Sequence, residues 1–314
     1  MDVGLKNIWN AWFAFRRGKK PTPEMEQFSY YLEENLSLLQ RELQDGTYHH
    51  RGYHTFTVMD NKRRVISVAN IRDRVVHRLL YGYLIFIYND GFYYDVWSCR
   101  PHKGLIGAIE RVQKFVRESP RVFVWRTDIT KFFNNVNRAT LVNILKRKIS
   151  DPKALWLLQE IIDNFDRGSK GIPIGNLTSQ IFANIYLNEL DRFVVHTLKP
   201  KHYLRYGDDF LVFHANKDVL KSFREKIIAH LKDELDLVIN PKHDIIVQAK
   251  EGLYFLGVEI YPSGRRLCKR NWLRVKNRLN LRNVGSYSGL VLRHENEKKI
   301  KEFHWRVIKH TQTG

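Results

Sequence analysis

Two adjacent aspartates, Asp208 and Asp209, follow Tyr206-Gly207 and sit between the apolar runs Tyr203-Leu204 and Phe210-Leu211-Val212-Phe213. The segment His202 to His214 therefore reads as strand, tight turn, strand. Gly and Asp tolerate the positive φ that turns demand, which accounts for Gly207 and for one aspartate. It accounts less well for two neighbouring carboxylates flanked by apolar strands, where repulsion and desolvation are both costly. A divalent cation relieves both costs. Asp128 repeats the arrangement at the end of Val122-Phe123-Val124-Trp125, followed by Ile129-Thr130-Lys131-Phe132-Phe133-Asn134. It reads either as a helix N-cap or as a third carboxylate. If the two strands are neighbours, Asp128, Asp208 and Asp209 converge. Three carboxylates on two hard cations make a phosphoryl-transfer centre, one ion activating a hydroxyl nucleophile and the other steadying the leaving pyrophosphate. Mg²⁺ suits such a site, with Mn²⁺ as the alternative.

The remaining chain mixes helical and strand patterns, so an α+β protein is expected. Thr22 and Pro23 mark a helix start, and Gly46 closes one helix carrying Phe28, Tyr31, Leu32, Leu36, Leu39 and Leu43 at helical spacing. Residues 53–69 read as short strands around the basic turn Asn61-Lys62-Arg63-Arg64. Helices are expected over Ile71 to Tyr88, Arg138 to Ile149, Asp151-Pro152 to Asn164, Gly175 to Leu198 and Asp218 to Glu234. Tyr254 to Ile260 and Arg265 to Cys268 flank Pro262-Ser263-Gly264 as a hairpin. A hairpin among helix-interrupted strands argues against a purely parallel sheet.

Charge narrows the partner. Lys and Arg number 53 against 33 Asp and Glu, a net +20, and such an excess favours a polyanion. Residues 265–314 alone hold 14 Lys or Arg against 3 Asp or Glu. With Trp272, Tyr287, Phe303 and Trp305 interleaved, this stretch fits a nucleic-acid groove better than a solvated face or a membrane surface. The two cysteines, Cys99 and Cys268, form no CxxC pair, so neither a zinc ribbon nor a disulfide framework is expected. No signal-peptide pattern opens the sequence, and the apolar run Tyr81 to Tyr88 is too short to span a bilayer. A cytoplasmic protein without a membrane partner is the expectation.

The order of motifs resembles that of reverse transcriptases. It runs from Arg64 through Ile71-Arg72-Asp73-Arg74-Val75-Val76-His77 to Arg100-Pro101-His102-Lys103-Gly104, then the Asp128 strand. Gly171-Ile172-Pro173-Ile174-Gly175-Asn176-Leu177-Thr178-Ser179-Gln180 follows, then Tyr206-Gly207-Asp208-Asp209, Asn240-Pro241-Lys242 and Tyr254-Phe255-Leu256-Gly257. The resemblance implies a right-hand polymerase with fingers, a palm built on an antiparallel sheet, and a helical thumb. Its expected parts are an N-terminal helical extension (1–45), fingers (46–120), palm (121–167 and 201–261), a fingers–palm junction with the palm helix (168–200) and a basic thumb (262–314).

The same resemblance implies RNA-directed DNA synthesis from dNTPs on template RNA, with an RNA/cDNA duplex as product. Asp128, Asp208 and Asp209 match the catalytic metal ligands, with the Ile129 carbonyl beside them. Phe133 matches a gate against the ribose 2′-hydroxyl, unless it or Phe132 simply packs. Lys62 and Arg64 match triphosphate-binding cations, and Lys242 a proton donor to pyrophosphate. Gly175 and Gln180 fall in the nucleotide site. Phe255, Leu256 and Gly257 resemble a primer grip; Arg100, Tyr206, Arg274, Lys276 and Arg278 are expected on template and primer.

Ile174 to Gln180 resembles the IGN-x-x-SQ signature of enzymes from diversity-generating retroelements. Many relatives carry Gln at the position of Ile174. An aliphatic residue there loses a polar check on the nascent pair, a discrimination worth on the order of 1–3 kcal/mol. The resemblance thus implies error-prone copying at adenines, a basic ring-forming accessory protein, and a bacterial, archaeal or phage source. Gly207 departs from the Ala or Val more usual at its position. Retron, group II intron and phage-defence enzymes remain rivals, as does a catalytically silent RNA-binding scaffold.

Overall fold

A computed structural model describes residues 1–59, 63–165 and 168–312. Three helices open the chain, α1 (Leu5–Arg16), α2 (Pro23–Tyr30) and α3 (Leu32–Asp45). Thr22 caps α2, its Oγ1 accepting from the Met25 N–H at 3.3 Å, and Gly46 ends α3 in the left-handed region. The single helix expected between them is two. Tyr31 breaks it at φ −106°, ψ 38°, and the Asn35 side chain donates to the Phe28 carbonyl across the break. A side-chain donor thus satisfies a carbonyl that a continuous helix would have bonded.

Strands β1 (Tyr53–Met59) and β2 (Arg63–Ala69) form an antiparallel hairpin, with Met59 opposite Arg63 at its tip. Helices α4 (Ile71–Tyr88) and α5 (Leu105–Glu118) lead to strand β3 (Phe123–Thr127). Next come α6 (Phe132–Asn135), α7 (Arg138–Lys146), α8 (Pro152–Asp163) and α9 (Leu177–Arg192), which continues in π-helical form to Leu198. Strands β4 (His202–Tyr206) and β5 (Asp209–His214), helix α10 (Lys217–Leu235) and strand β6 (Ile245–Gln248) complete the middle of the chain.

The central sheet has the order β4-β5-β3-β6, every pair antiparallel. Its two faces bury two separate cores, because successive residues of a strand point to opposite sides. Trp125, Phe210 and Val212 enter one core with Ile185 and Tyr186 of α9 and Ile227 of α10. Val124, Leu204, Leu211 and Phe213 enter the other with Ile109 and Val112 of α5, Phe255 and Trp272.

A second sheet holds β7 (Leu253–Phe255), β8 (Val258–Tyr261) and β9 (Gly264–Leu267). The sequence predicts one strand over Tyr254 to Ile260, but a turn at Leu256-Gly257 cuts it in two. Leu256 has φ 49° and Gly257 φ 83°; a leucine in the left-handed region gives no advance signal. Helices α11 (Lys269–Arg278), α12 (Val284–His294) and α13 (Glu297–Gln312) follow. No described helix is long and apolar enough to cross a membrane.

A buried polar network joins the segment after α3 to α4 and α9. His50 Nε2 and His77 Nε2 lie 3.1 Å apart, and His77 Nδ1 is 2.9 Å from Thr178 Oγ1. Only one of two facing ring nitrogens can carry the shared proton. Burial, then the neighbouring His50 and Arg74 charges, pulls the His77 pKa from 6.5 down to about 3, and burial lowers His50 as well. Both depressed values mean that neutral imidazoles stabilise the fold above the unfolded value of 6.5. That contribution is lost as pH falls from there towards 3. The urea midpoint will therefore drop between pH 7 and pH 5, and will drop less in His77→Gln. Equal drops in both proteins would exclude His77 as the cause.

Candidate active site

The register of the sheet brings the carboxylates together. Thr127 on β3 pairs with Phe210 on β5, so the next positions along each strand, Asp128 and Asp209, oppose one another. Asp208 stands beside them in the β4–β5 turn. Gly207 takes φ 65° there, and its N–H donates to Ser98 Oγ at 2.8 Å. Asp128 does not cap a helix; the short α6 begins at Phe132 behind Lys131. The Asp128 carbonyl instead accepts from the Asn240 N–H at 2.8 Å, and Ile129 bridges to Ile239.

Fully buried Arg205 holds the turn from beneath. Its Nε and Nη2 reach the two Asp191 oxygens at 2.7 and 2.5 Å, and its Nη1 donates to Asn184 Oδ1 and to the Gly207 carbonyl. Arg205 is 0% and Asp191 1% exposed, and Tyr203 also donates to Asp191. The sequence reading missed this. The available signal was a charged residue inside an otherwise apolar strand, at a position whose alternation points inward.

A cavity of about 470 Å³ lies over the carboxylates, lined among others by Arg64, Asp128, Ile129, Phe133, Ile174, Asp208 and Asp209. Residues far apart in sequence and singled out there thus line one space. Both Phe132 and Phe133 line it, but Phe132 is 2% exposed and packed in the core, whereas Phe133 is half-buried. Arg63, Lys131 and Asn240 also line it. The basic turn drew attention to Lys62 and Arg64 rather than to Arg63, and Lys131 takes φ 43° without any local sign of it. Lys62 lies outside the described residues.

The sequence leads one to expect that Asp128, Asp208 and Asp209 converge. All three line the cavity, yet among the described residues no three His, Cys, Asp or Glu side chains form a ready-made metal cage. One Asp128 oxygen is 2.9 Å from His243 Nδ1, a partner the sequence reading overlooked. The other Asp128 oxygen is buried without a hydrogen-bond partner. An orphaned carboxylate oxygen in a cavity that further carboxylates also line fits a hard cation that completes its shell with phosphate oxygens and water.

The Ile174-Gly175-Asn176 segment clamps the β1–β2 hairpin. The Ser67 N–H donates to the Ile174 carbonyl at 2.8 Å, and Asn176 Nδ2 donates to the Ser67 carbonyl at 2.7 Å. Gly175 has φ 111°, and a Cβ there would meet Ile66 Cγ2 at 2.7 Å and the Ser67 carbonyl at 3.2 Å. Gly175 therefore serves the hairpin's attachment and does not line the cavity. Gln180, exposed on α9, accepts from Cys99 Sγ at 3.3 Å, and Lys242 is exposed; neither lines the cavity.

Of the residues expected on template and primer, Arg100 is turned inward. It donates to Asn89 Oδ1 and to the carbonyls of Asn89, Tyr93 and Val96, which spends most of a guanidinium's donors. Phe255 is 1% exposed in the second core; Leu256 and Gly257 occupy the β7–β8 turn, and half-buried Tyr206 ends β4. On α11, Trp272 and Val275 face the core, while Lys269, Arg270, Arg274 and Arg278 border a groove of about 500 Å³. Lys276 points instead towards Glu302 of α13, 3.9 Å away.

An antiparallel sheet with carboxylates at its hairpin end, helices behind it and a basic helical region beyond define the right-hand polymerase fold. The reverse transcriptase (RNA-dependent DNA polymerase) family matches residues 24–260, and the chain belongs to it. It is 21% identical over 322 aligned positions to the group II intron-encoded protein LtrA of Lactococcus lactis, covering 80% of this chain and 53% of that one. Protein YkfC of Escherichia coli is 25% identical over 240 positions, 63% of each chain. A putative COX1/OXI3 intron 2 protein of Saccharomyces cerevisiae is 23% identical over 288 positions, covering 69% of this chain and 34% of the yeast protein. The chain therefore spans about a third to two-thirds of the length of these relatives. Among solved structures, apo telomerase from Candida tropicalis, truncated from its C-terminal domain, superposes with a TM-score of 0.54 at 13% identity, over 69% of this chain and 55% of that one.

Proposed function

We propose that the chain is an RNA-directed DNA polymerase that copies a template RNA into cDNA from dNTPs. The observation that supports this most is the single cavity shared by Asp128, Asp208, Asp209, Phe133 and Arg64. Asp128, Asp208 and Asp209, with Ile129 beside them, would hold two Mg²⁺ ions, with Mn²⁺ able to substitute. Bound there, such ions supply the positive charge that activates a primer 3′-hydroxyl and stabilises pyrophosphate as it leaves. Arg63 and Arg64 on the hairpin neutralise the incoming triphosphate from the other side. The groove on α11 receives the duplex backbone. In this reading residues 46–120 act as fingers, 121–167 and 201–261 as palm, and 262–314 as thumb. Primer extension on a primed RNA with Mg²⁺ and dNTPs tests it; no extension by pure, folded protein removes the reading.

Phe133 acts as the gate against ribonucleotides, its ring standing where a 2′-hydroxyl would lie. Phe133→Ala will raise the ratio of ribo- to deoxynucleotide incorporation by at least about tenfold, the discrimination that a steric contact of roughly 1–3 kcal/mol provides. An unchanged ratio in single-nucleotide addition assays removes that role.

The finer reading is an error-prone enzyme of a diversity-generating retroelement, which delivers mutated cDNA with the help of a basic ring-forming accessory protein. Ile174 supports it, because an aliphatic side chain at the cavity wall offers the nascent pair no hydrogen bond. Sequencing of cDNA made on a defined RNA tests it: misincorporation concentrated opposite adenine is expected, and Ile174→Gln should reduce it. Accurate copying of adenines removes this reading. Similarity to a group II intron-encoded protein favours a second one, faithful copying of an intron-like RNA, which the same sequencing separates from the first.

A further inference from the structure

The sheet face that carries Asp128 and Asp209 also carries a cation. Arg126 lies two residues before Asp128 on β3 and pairs with Leu211, two residues after Asp209 on β5, so alternation sets all three on one side. Arg126 Nη1 donates to the Tyr254 carbonyl at 2.9 Å, and its guanidinium carbon stands 4.5 Å from the Tyr254 ring centroid. Tyr254 lies on β7, just before the Leu256-Gly257 turn. Burial draws the Arg126 pKa down, while the charges of Asp209 and Asp128 are among those that hold it up; a guanidinium stays protonated in proteins.

We propose that Arg126 is a positioning residue whose fixed charge balances Asp128 and Asp209 and so sets how tightly their site takes a divalent cation. It rests on the reading of those carboxylates as a polymerase centre. The charge keeps two opposed carboxylates together before a cation arrives, and it competes with the cation once one is bound. The hydrogen bond to Tyr254 fixes the guanidinium at this spot and ties the carboxylate end of β3 to the β7–β8 turn. If Arg126 served only to pin β7 to the sheet, its removal would lower the melting temperature and leave cation affinity alone.

Mn²⁺ binding to the full chain, followed by the electron paramagnetic resonance of free Mn²⁺ without nucleic acid or nucleotide, separates the two. Arg126→Gln is expected to bind Mn²⁺ about tenfold more tightly, since a nearby positive charge repels a dication. Arg126→Lys should return affinity to within about twofold of the wild type. Arg126→Met, which keeps the packed stem and drops the charge, serves as the second neutral variant should Arg126→Gln fail to fold. Unchanged or weaker Mn²⁺ binding in the folded neutral variants overturns the proposal, whatever happens to the melting temperature. Failure of the wild type to extend primers, with the Mn²⁺ series as expected, would instead sink the polymerase reading and leave the role of Arg126 standing. Normal extension with a flat Mn²⁺ series does the reverse.

Discussion

Asp208→Asn will reduce primer extension on the order of 10³-fold or more while leaving the melting temperature close to that of the wild type. The substitution keeps the size of a half-buried turn residue and removes one carboxylate from the cavity wall. Loss of several kcal/mol of charge stabilisation at a phosphoryl-transfer centre translates into that factor. The fold should tolerate it, because the Gly207 N–H on Ser98 and the Gly207 carbonyl on Arg205 hold the turn independently of that substitution. Steady-state extension and thermal unfolding of the same preparation check both halves. Retained activity would show that Asp208 is not part of the chemistry.

Arg205→Leu will destabilise the chain by about 3–5 kcal/mol, because it strands the buried Asp191 carboxylate. Tyr203 remains a donor to Asp191 and softens the loss without supplying a charge. Replacing both partners, Arg205→Leu with Asp191→Leu, should recover much of the stability, since the cost lies in the unpaired charge rather than in the lost bond. DNA synthesis should not recover with it, because the Gly207 carbonyl still lacks its Arg205 donor. Urea unfolding of the two single variants and the double variant gives the coupling directly. Full additivity would mean that the pair is not energetically linked.

Much of this arrangement was readable from residue pattern alone. The alternation of Val124, Trp125, Leu211 and Val212 marks strands buried on both faces, and a two-residue turn between apolar runs made the Asp208 hairpin nearly unavoidable. The strand-end carboxylates pointed to one place, and the cavity lies over them. What could not be read depends on backbone angles and on contacts distant in sequence. Leu256 and Lys131 adopt positive φ, which neither residue type favours, so the β7–β8 turn and the lysine at the cavity were hidden. The family resemblance puts Arg100 on template and primer, yet carbonyls from the loop before it absorb its donors. Gly175 was expected in the nucleotide site, yet its segment is a backbone clamp: Asn176 beside it donates to the Ser67 carbonyl, 109 residues away in sequence. Pairing over such distances is set by tertiary packing, which local pattern does not encode.

The two cores on opposite faces of the central sheet also impose an order on biosynthesis. The first core is nearly complete once α10 and the segment up to Ile239 have emerged, when β3 can already pair with β5. The second needs Leu253, Phe255, Ile260, Trp272, Val291 and Phe303 to cover Val124, Leu211 and Phe213. Helix α5 covers part of that face from the start, through Ile109, Val112 and Phe115, but the rest stays open to solvent, and to wrong partners, until the ribosome has delivered the basic helices. A nascent chain arrested near residue 250 should present an adhesive sheet face and call for a chaperone, and one arrested past residue 303 should not. The helices richest in Lys and Arg are thus the lid of a core as well as a surface for polyanions, so a truncation there endangers solubility before it touches synthesis.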